Sequence, residues 1–345
     1  MCAEAPCCTI CLDGGGDTRP IQCGCACRGA AGLAHVGCKA RVAAHVSAGW
    51  NDAWAECLTC GQFYTGGMQL GLARELVRQM ERRAPADDHR LTALCNLGQA
   101  LKEAGEHDEA EVLLRDVLVL RRRAFGAKHP CTLNVGTILA ETMRLCGRFA
   151  EAVALYRDIL AATPASFKEH ENTLGAQRSC ADALSKLGNH AEAEVLLRGI
   201  LATEDVKYGP GDARTLQTRQ TLGDVLREQG KHAEAGCVFR PTMAAMQRVL
   251  GPEHPETLRT MHLLARCLGN QGHHAAAELL LQSVLEGRRR ACGPEHPDTL
   301  ATAGLLADTQ DALVRHAEAE IRATGKCSPN KAPMWAGALG AEMQI

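Results

Sequence analysis

The residues able to do chemistry crowd into the first sixty positions. Cys8 and Cys11 are two residues apart, and Cys25 and Cys27 follow with one residue between them. His35 follows after seven intervening residues, then Cys38, and after a longer gap Cys57 and Cys60. A Cys-x2-Cys turn lets two sulfurs face one ion while backbone amides stabilise the thiolates. His-x2-Cys sets an imidazole and a thiolate one turn apart, again toward one ion. Eight such donors make four for each of two tetrahedral zinc ions. With four protein ligands per ion no position stays open for water, so the expected zinc is structural rather than hydrolytic.

Ten of the 18 cysteines fall in residues 1–60. The N-terminus MCAEAPCCTI lacks the basic start and long apolar stretch of an export signal, so an oxidising compartment and a disulfide framework are not expected. Cys23 could take the place of Cys25, at the cost of the seven-residue gap to His35. Cys2 and Cys7 read as free thiols. The eight cysteines scattered beyond residue 60 read as small hydrophobes or surface residues.

The elements around these donors are poor in core. Hydrophobic residues make up 46% of the 345-residue chain, but aromatics only 3%. A first segment with so few large apolar side chains cannot bury enough surface to fold alone. A structural zinc ion contributes on the order of 10–16 kcal/mol in small peptides at neutral pH, enough to fold it. Elsewhere the chain is rich in Ala, Leu, Glu and Arg, which favours helix. The formal net charge of −2 argues against nucleic acid as a partner. No apolar run is long enough to span a membrane, and the expected location is intracellular, in the reducing cytoplasm.

The order Cys-x2-Cys, loop, Cys-x-Cys-x7-His-x2-Cys, loop, Cys-x2-Cys resembles the RING-CH (RING-variant) zinc finger, and all eight positions match. The PHD finger shares the ligand order, with wider spacing in its second pair, and is the more distant likeness. By resemblance to the RING cross-brace, Cys8, Cys11, His35 and Cys38 would hold one zinc, and Cys25, Cys27, Cys57 and Cys60 the other. RING-CH proteins act as ubiquitin ligases: they bind a charged ubiquitin-conjugating enzyme and catalyse by positioning it. The resemblance implies that Ile10, Trp50 and Trp54 contact that enzyme; Trp54 could equally fill the small core. The chain departs from the family at Val42, where a Trp is common, and at Leu58, where many RINGs carry Pro. The family's best-known branch is anchored in membranes, whereas no span is found here.

Further on, the chain repeats itself. Gly105, Gly147, Gly188, Gly230 and Gly272 recur at steps of 41 or 42 residues, and five residues after each comes Ala110, Ala152, Ala193, Ala235 or Ala277. Ala319 continues the series, with Val314 in the glycine slot. Such a period predicts stacked helical hairpins: helix A ends at the glycine, helix B starts near the alanine, and small residues of the Gly98 and Ala110 type let the backbones approach. This arrangement resembles the tetratricopeptide repeat, and the linkers GPEHPETL and GPEHPDTL resemble its kinesin-light-chain subtype. The expected fold is a small two-zinc cross-brace RING-like domain followed by an all-α tetratricopeptide-repeat superhelix, an α-solenoid. The expected domains are the zinc-binding domain at 1–66, a linker or capping helix at 67–90, an array of five repeats and a partial sixth at 91–323, and a flexible tail at 324–345.

Counting from the motif places helix-A residues on the concave face, among them Asn134, Arg144, Arg178, Gln220, Arg227 and Arg266. Thr92, Cys95, Gln99, Lys102, Glu141, Asp182, Ser185, Asp224, Arg259 and His262 share that side. A polar groove of this kind suits an extended substrate peptide, gripped by its backbone and acidic side chains. No catalytic constellation occurs in the array; His129, His254 and His296 recur with the linkers and read as structural. Two functions follow: a ubiquitin ligase that selects substrate through the repeats, or a non-enzymatic adaptor whose zinc module is a binding or structural cap.

Overall fold

The computed structural model describes residues 21–22, 33–46, 54–57 and 62–324. Packing divides the chain into two compact units, Met1–Leu196 and Leu197–Ile345.

The first unit begins with two short antiparallel strands, β1 (Ile21–Gln22) and β2 (Leu33–Ala34), with Ile21 opposite Ala34. Helix α1 (Val36–Val46) follows directly, its first turn closed by Cys38 and Lys39 amides on the His35 carbonyl. A second hairpin arm joins Glu56 to Phe63, with the Cys57 amide donating to the Gln62 carbonyl at 2.8 Å. Helix α2 (Gly66–Met80) comes next. Met68, Leu72 and Leu76 on its buried face join Ala34, Cys38, Ala40, Ala43, Trp54, Cys57 and Tyr64 in one apolar cluster that also reaches Ala93. The helix expected as a linker or capping element packs into this N-terminal cluster.

The repeats then stack. Helices α3 (Asp88–Ala104), α4 (His107–Phe125), α5 (Pro130–Leu145), α6 (Phe149–Ala162) and α7 (Glu171–Lys186) each pack on the next. Helix α8 (His190–Lys207) follows the turn at Gly188. The A helices α3, α5 and α7 also touch in succession. In the second unit, α9 (Ala213–Glu228), α10 (His232–Val249), α11 (Pro255–Asn270), α12 (His274–Cys292) and α13 (Pro297–Thr324) pack in the same serial way.

One turn chemistry serves every hairpin. Gly105 adopts φ 82°, a left-handed conformation costly for residues with a Cβ, and the next amide, of Glu106, donates to the Leu101 carbonyl at 2.9 Å. The same bond at the same 2.9 Å forms after Gly147, Gly188, Gly230 and Gly272. The alanines five residues on, Ala110, Ala152, Ala193, Ala235 and Ala277, are all fully buried. Gly98 confirms the expected close approach, because a Cβ there would stand 2.5 Å from Cδ2 of Leu114.

The linkers are caps. The Nδ1 of His129, His170, His254 and His296 accepts the amide of Cys131, Asn172, Glu256 and Asp298, at 3.2–3.3 Å, closing the helix start. Asp212 does the same for Arg214 with a carboxylate at 2.9 Å. Pro130 and Pro255 occupy the first helical turn, where no amide is needed. Thr257 and Thr299 donate back to the carbonyls of Gly251 and Gly293, at 2.9 Å each. Where the linker motif is lost, a short 3-10 turn at Ala165–Phe167 leads to the capping His170.

The sixth unit differs from expectation. Helix α13 runs 28 residues without a break, straight through the predicted turn at Val314. A β-branched residue resists the left-handed conformation the turn requires, so the helix continues.

Candidate functional site

Of the eight predicted zinc ligands, His35, Cys38 and Cys57 lie among the described residues; Cys8, Cys11, Cys25, Cys27 and Cys60 lie outside them, as do Cys23, Ile10 and Trp50. The start of α1 brings His35 and Cys38 together, with His35 Nδ1 3.7 Å from Cys38 Sγ. Both are buried, at 8% and 4% exposure. A zinc ion at about 2.3 Å from sulfur and 2.0 Å from nitrogen, with a tetrahedral angle between them, sets such donors roughly 3.6 Å apart. The pair fits that edge. The Arg41 guanidinium donates to Cys38 Sγ at 3.2 Å. Cys57 is buried on its hairpin arm. Among the described residues no group of three or more metal-ligating side chains forms.

For Trp54 the sequence allows a contact to a conjugating enzyme or a place in the small core. Its 6% exposure and its place in the apolar cluster with Met68 and Leu72 assign it to the core. A module with few large side chains uses those it has for packing. Phe63 on the neighbouring arm is an exposed aromatic, at 65%, and the motif gave no signal for it.

The A-helix face is more self-satisfied than its polarity suggested. In the first unit Lys102 pairs with Glu141 at 2.7 Å, and Arg144 with Asp182 at 2.8 Å. Each cation thus binds an acid one repeat further on. Asn134 is exposed and Arg178 half-buried. Ser185 is buried beside His190, its hydroxyl 3.1 Å from Nδ1.

In the second unit the register changes sign. Glu141, Asp182 and Asp224 share one repeat position, and the next residue in that series is Arg266. Arg227 therefore has no acid ahead of it and folds back onto Asp224, at 2.6 Å, and Glu228. Arg266 is exposed and makes no ion pair among the described residues. Gln220, expected in the groove, is 3% exposed and donates to Thr260 Oγ1 at 3.1 Å, so it ties α9 to α11 and is not open to a ligand.

Around His262, a recess of about 350 Å³ is lined by Leu258, Arg259, Arg288, Asp298 and Ala301. Burial, then the cations Arg288 and Arg266, push the His262 imidazole down to about 4. Burial also pushes the thiols of Cys95, Cys180 and Cys267 up to about 11, which keeps them protonated and structural. Cys237 and Cys292 are exposed, in keeping with their reading as surface residues. No described helix is long and apolar enough to cross a membrane.

The family profile described as tetratricopeptide repeat matches residues 89–165, 172–240 and 222–290. A Podosopora anserina kinesin-light-chain candidate with nearly identical tetratricopeptide-like repeats is 25% identical, with 61% of this chain and 99% of that one covered and a TM-score of 0.52. A point-substituted form of that protein aligns at 26% identity over 59% and 96%, also with a TM-score of 0.52. BtubC (BKLC) from P. vanneervenii shares the fold at 19% identity, 66% and 92% coverage and a TM-score of 0.55. No curated protein sequence matches the chain.

Proposed function

Because the chain belongs to the tetratricopeptide-repeat family, with repeats of kinesin-light-chain type, we propose that it is a protein-binding array carrying a RING-CH-like ubiquitin ligase module at its N-terminus. Stacked hairpins present A-helix side chains to partner proteins or peptides. Asn134, Arg259 and Arg266 are predicted groove residues that remain exposed.

The metal half of the proposal is carried by the His35–Cys38 pair, whose 3.7 Å separation suits one edge of a zinc tetrahedron. His35 and Cys38 would share one ion with Cys8 and Cys11, and Cys57 would share the other with Cys25, Cys27 and Cys60. Zinc supplies folding energy there and no reactive centre. The module would recruit a charged conjugating enzyme through Ile10 and Trp50, and the repeats would bring the substrate.

Incubation with activating enzyme, a panel of conjugating enzymes, ubiquitin and ATP tests this reading. Self-ubiquitination that is lost in Ile10→Ala, with two zinc ions retained, is the expected result. Two bound zinc ions without activity across the panel would leave the adaptor, a reading favoured by the burial of Trp54, which withdraws one expected aromatic contact.

A further inference from the structure

The N-terminal module has no boundary with the array. Cys38 on α1 and Cys57 on the hairpin arm lie in one apolar cluster with Met68, Leu72 and Leu76 of α2 and Ala93 of α3. Val36 and Gly71 meet so closely that a Cβ on Gly71 would stand 2.7 Å from Cγ2 of Val36. Polar contacts tie another face of α2 to the first repeat. Gln69 donates to Glu103 at 2.7 Å, and Arg74 to Glu106 at 2.8 Å. One helix thus holds both bodies, and its apolar face is shared between them.

The described part of the module has little regular structure of its own: an 11-residue helix and two two-residue strands. A body this small needs a further source of order. Repeat arrays in turn need their end units covered, because a terminal hairpin otherwise exposes the face meant for a neighbour.

We infer that the module, folded by thiolate- and imidazole-bound divalent cations of the zinc class at His35, Cys38 and Cys57, is the N-terminal cap of the repeat array, so that metal occupancy governs the order of α2 and α3. The inference rests on the metal reading above and is independent of ligase activity. Release of the metal frees α1 and the hairpin arm, which uncovers Met68, Leu72 and Leu76. Helix α2 then loses one of its two supports, and α3 loses its cover.

Hydrogen exchange read by mass spectrometry on the full chain, before and after zinc is stripped by a chelator, tests this. The expected result is exchange at least about tenfold faster in α2 and α3, with α11 and α12 unchanged, because the loss is confined to the unit that shares the core. Loss of protection in residues 36–46 with α3 unaffected would overturn the cap while leaving the metal reading intact. A chain that carries no zinc as purified would overturn both. Gly71→Val supplies the reciprocal test, since it touches no ligand. Crowding Val36 should speed zinc transfer to a chromogenic chelator about tenfold. Release at the wild-type rate would overturn the coupling.

Discussion

The Lys102 ammonium lies 2.7 Å from the Glu141 carboxylate, which belongs to the equivalent helix of the following repeat. Lys102 is nearly buried, at 10% side-chain exposure, and Glu141 is about one-third exposed. A cation removed from water to this degree depends on its partner. Glu141→Gln should therefore destabilise the first unit by about 1–3 kcal/mol, because it strands a desolvated ammonium. Lys102→Met should cost less, since it removes the charge that needs compensation. Urea denaturation of both single variants and the double variant gives the coupling energy. A coupling near zero would make the pair incidental.

His254 and Asp212 do the same work with different atoms, an imidazole nitrogen at 3.3 Å and a carboxylate oxygen at 2.9 Å. His254→Ala should cost about 1 kcal/mol, the usual value of a lost helix cap. His254→Asp should retain stability. Thermal melts of the two variants decide it. Equal losses would mean that the imidazole acts by packing and not as an acceptor.

Gly223 faces the ring of Phe239 so closely that an added Cβ would meet Cε1 at 2.6 Å. Gly223→Ala should cost about 1–3 kcal/mol through overpacking, since an aromatic ring cannot fold aside. Phe239→Leu in the same chain should recover part of that loss, because Leu114, Leu197 and Leu281 fill the corresponding place in other repeats. Chemical denaturation of the single and double variants measures the recovery.

The pH dependence of the second unit should carry the mark of His262. Its imidazole titrates at about 4 in the folded chain, through burial and the cations Arg288 and Arg266. In the unfolded chain a histidine titrates near ~6.5. Between those values the unfolded chain binds more protons, so stability is complete above the upper value and falls as the pH approaches the lower one. Lowering the pH from about 7 to about 5 should cost about 2 kcal/mol from this group. His262→Gln should flatten that part of the profile, measured by urea midpoints at each pH.

The repeats were legible because each is announced by a glycine and an alanine at fixed separation, and those residues act through local backbone geometry and steric size. The linker histidines were legible as structural for the same reason, although their particular bond, Nδ1 to an amide two residues on, needed coordinates. Depth was harder to read. Counting along a helix gives the direction of Gln220 but not the Thr260 hydroxyl that waits there. Trp54 could have faced a partner or the core, and only the packing of α1, α2 and the hairpin arm decides between them. For α2 the sequence offers a linker or capping helix; that one helix serves both the N-terminal cluster and the first repeat was not legible, since this arises from contacts among segments far apart in sequence.

Helix α13 marks how the number of hairpins is encoded. Five times the chain reverses where glycine can enter φ between 77° and 83°, and at the sixth place Val314 carries the helix onward. The count is thus written in a single recurring atom-level permission, the absence of a side chain, and one codon's change can extend or close the series while the flanking pattern of leucine and alanine stays in place.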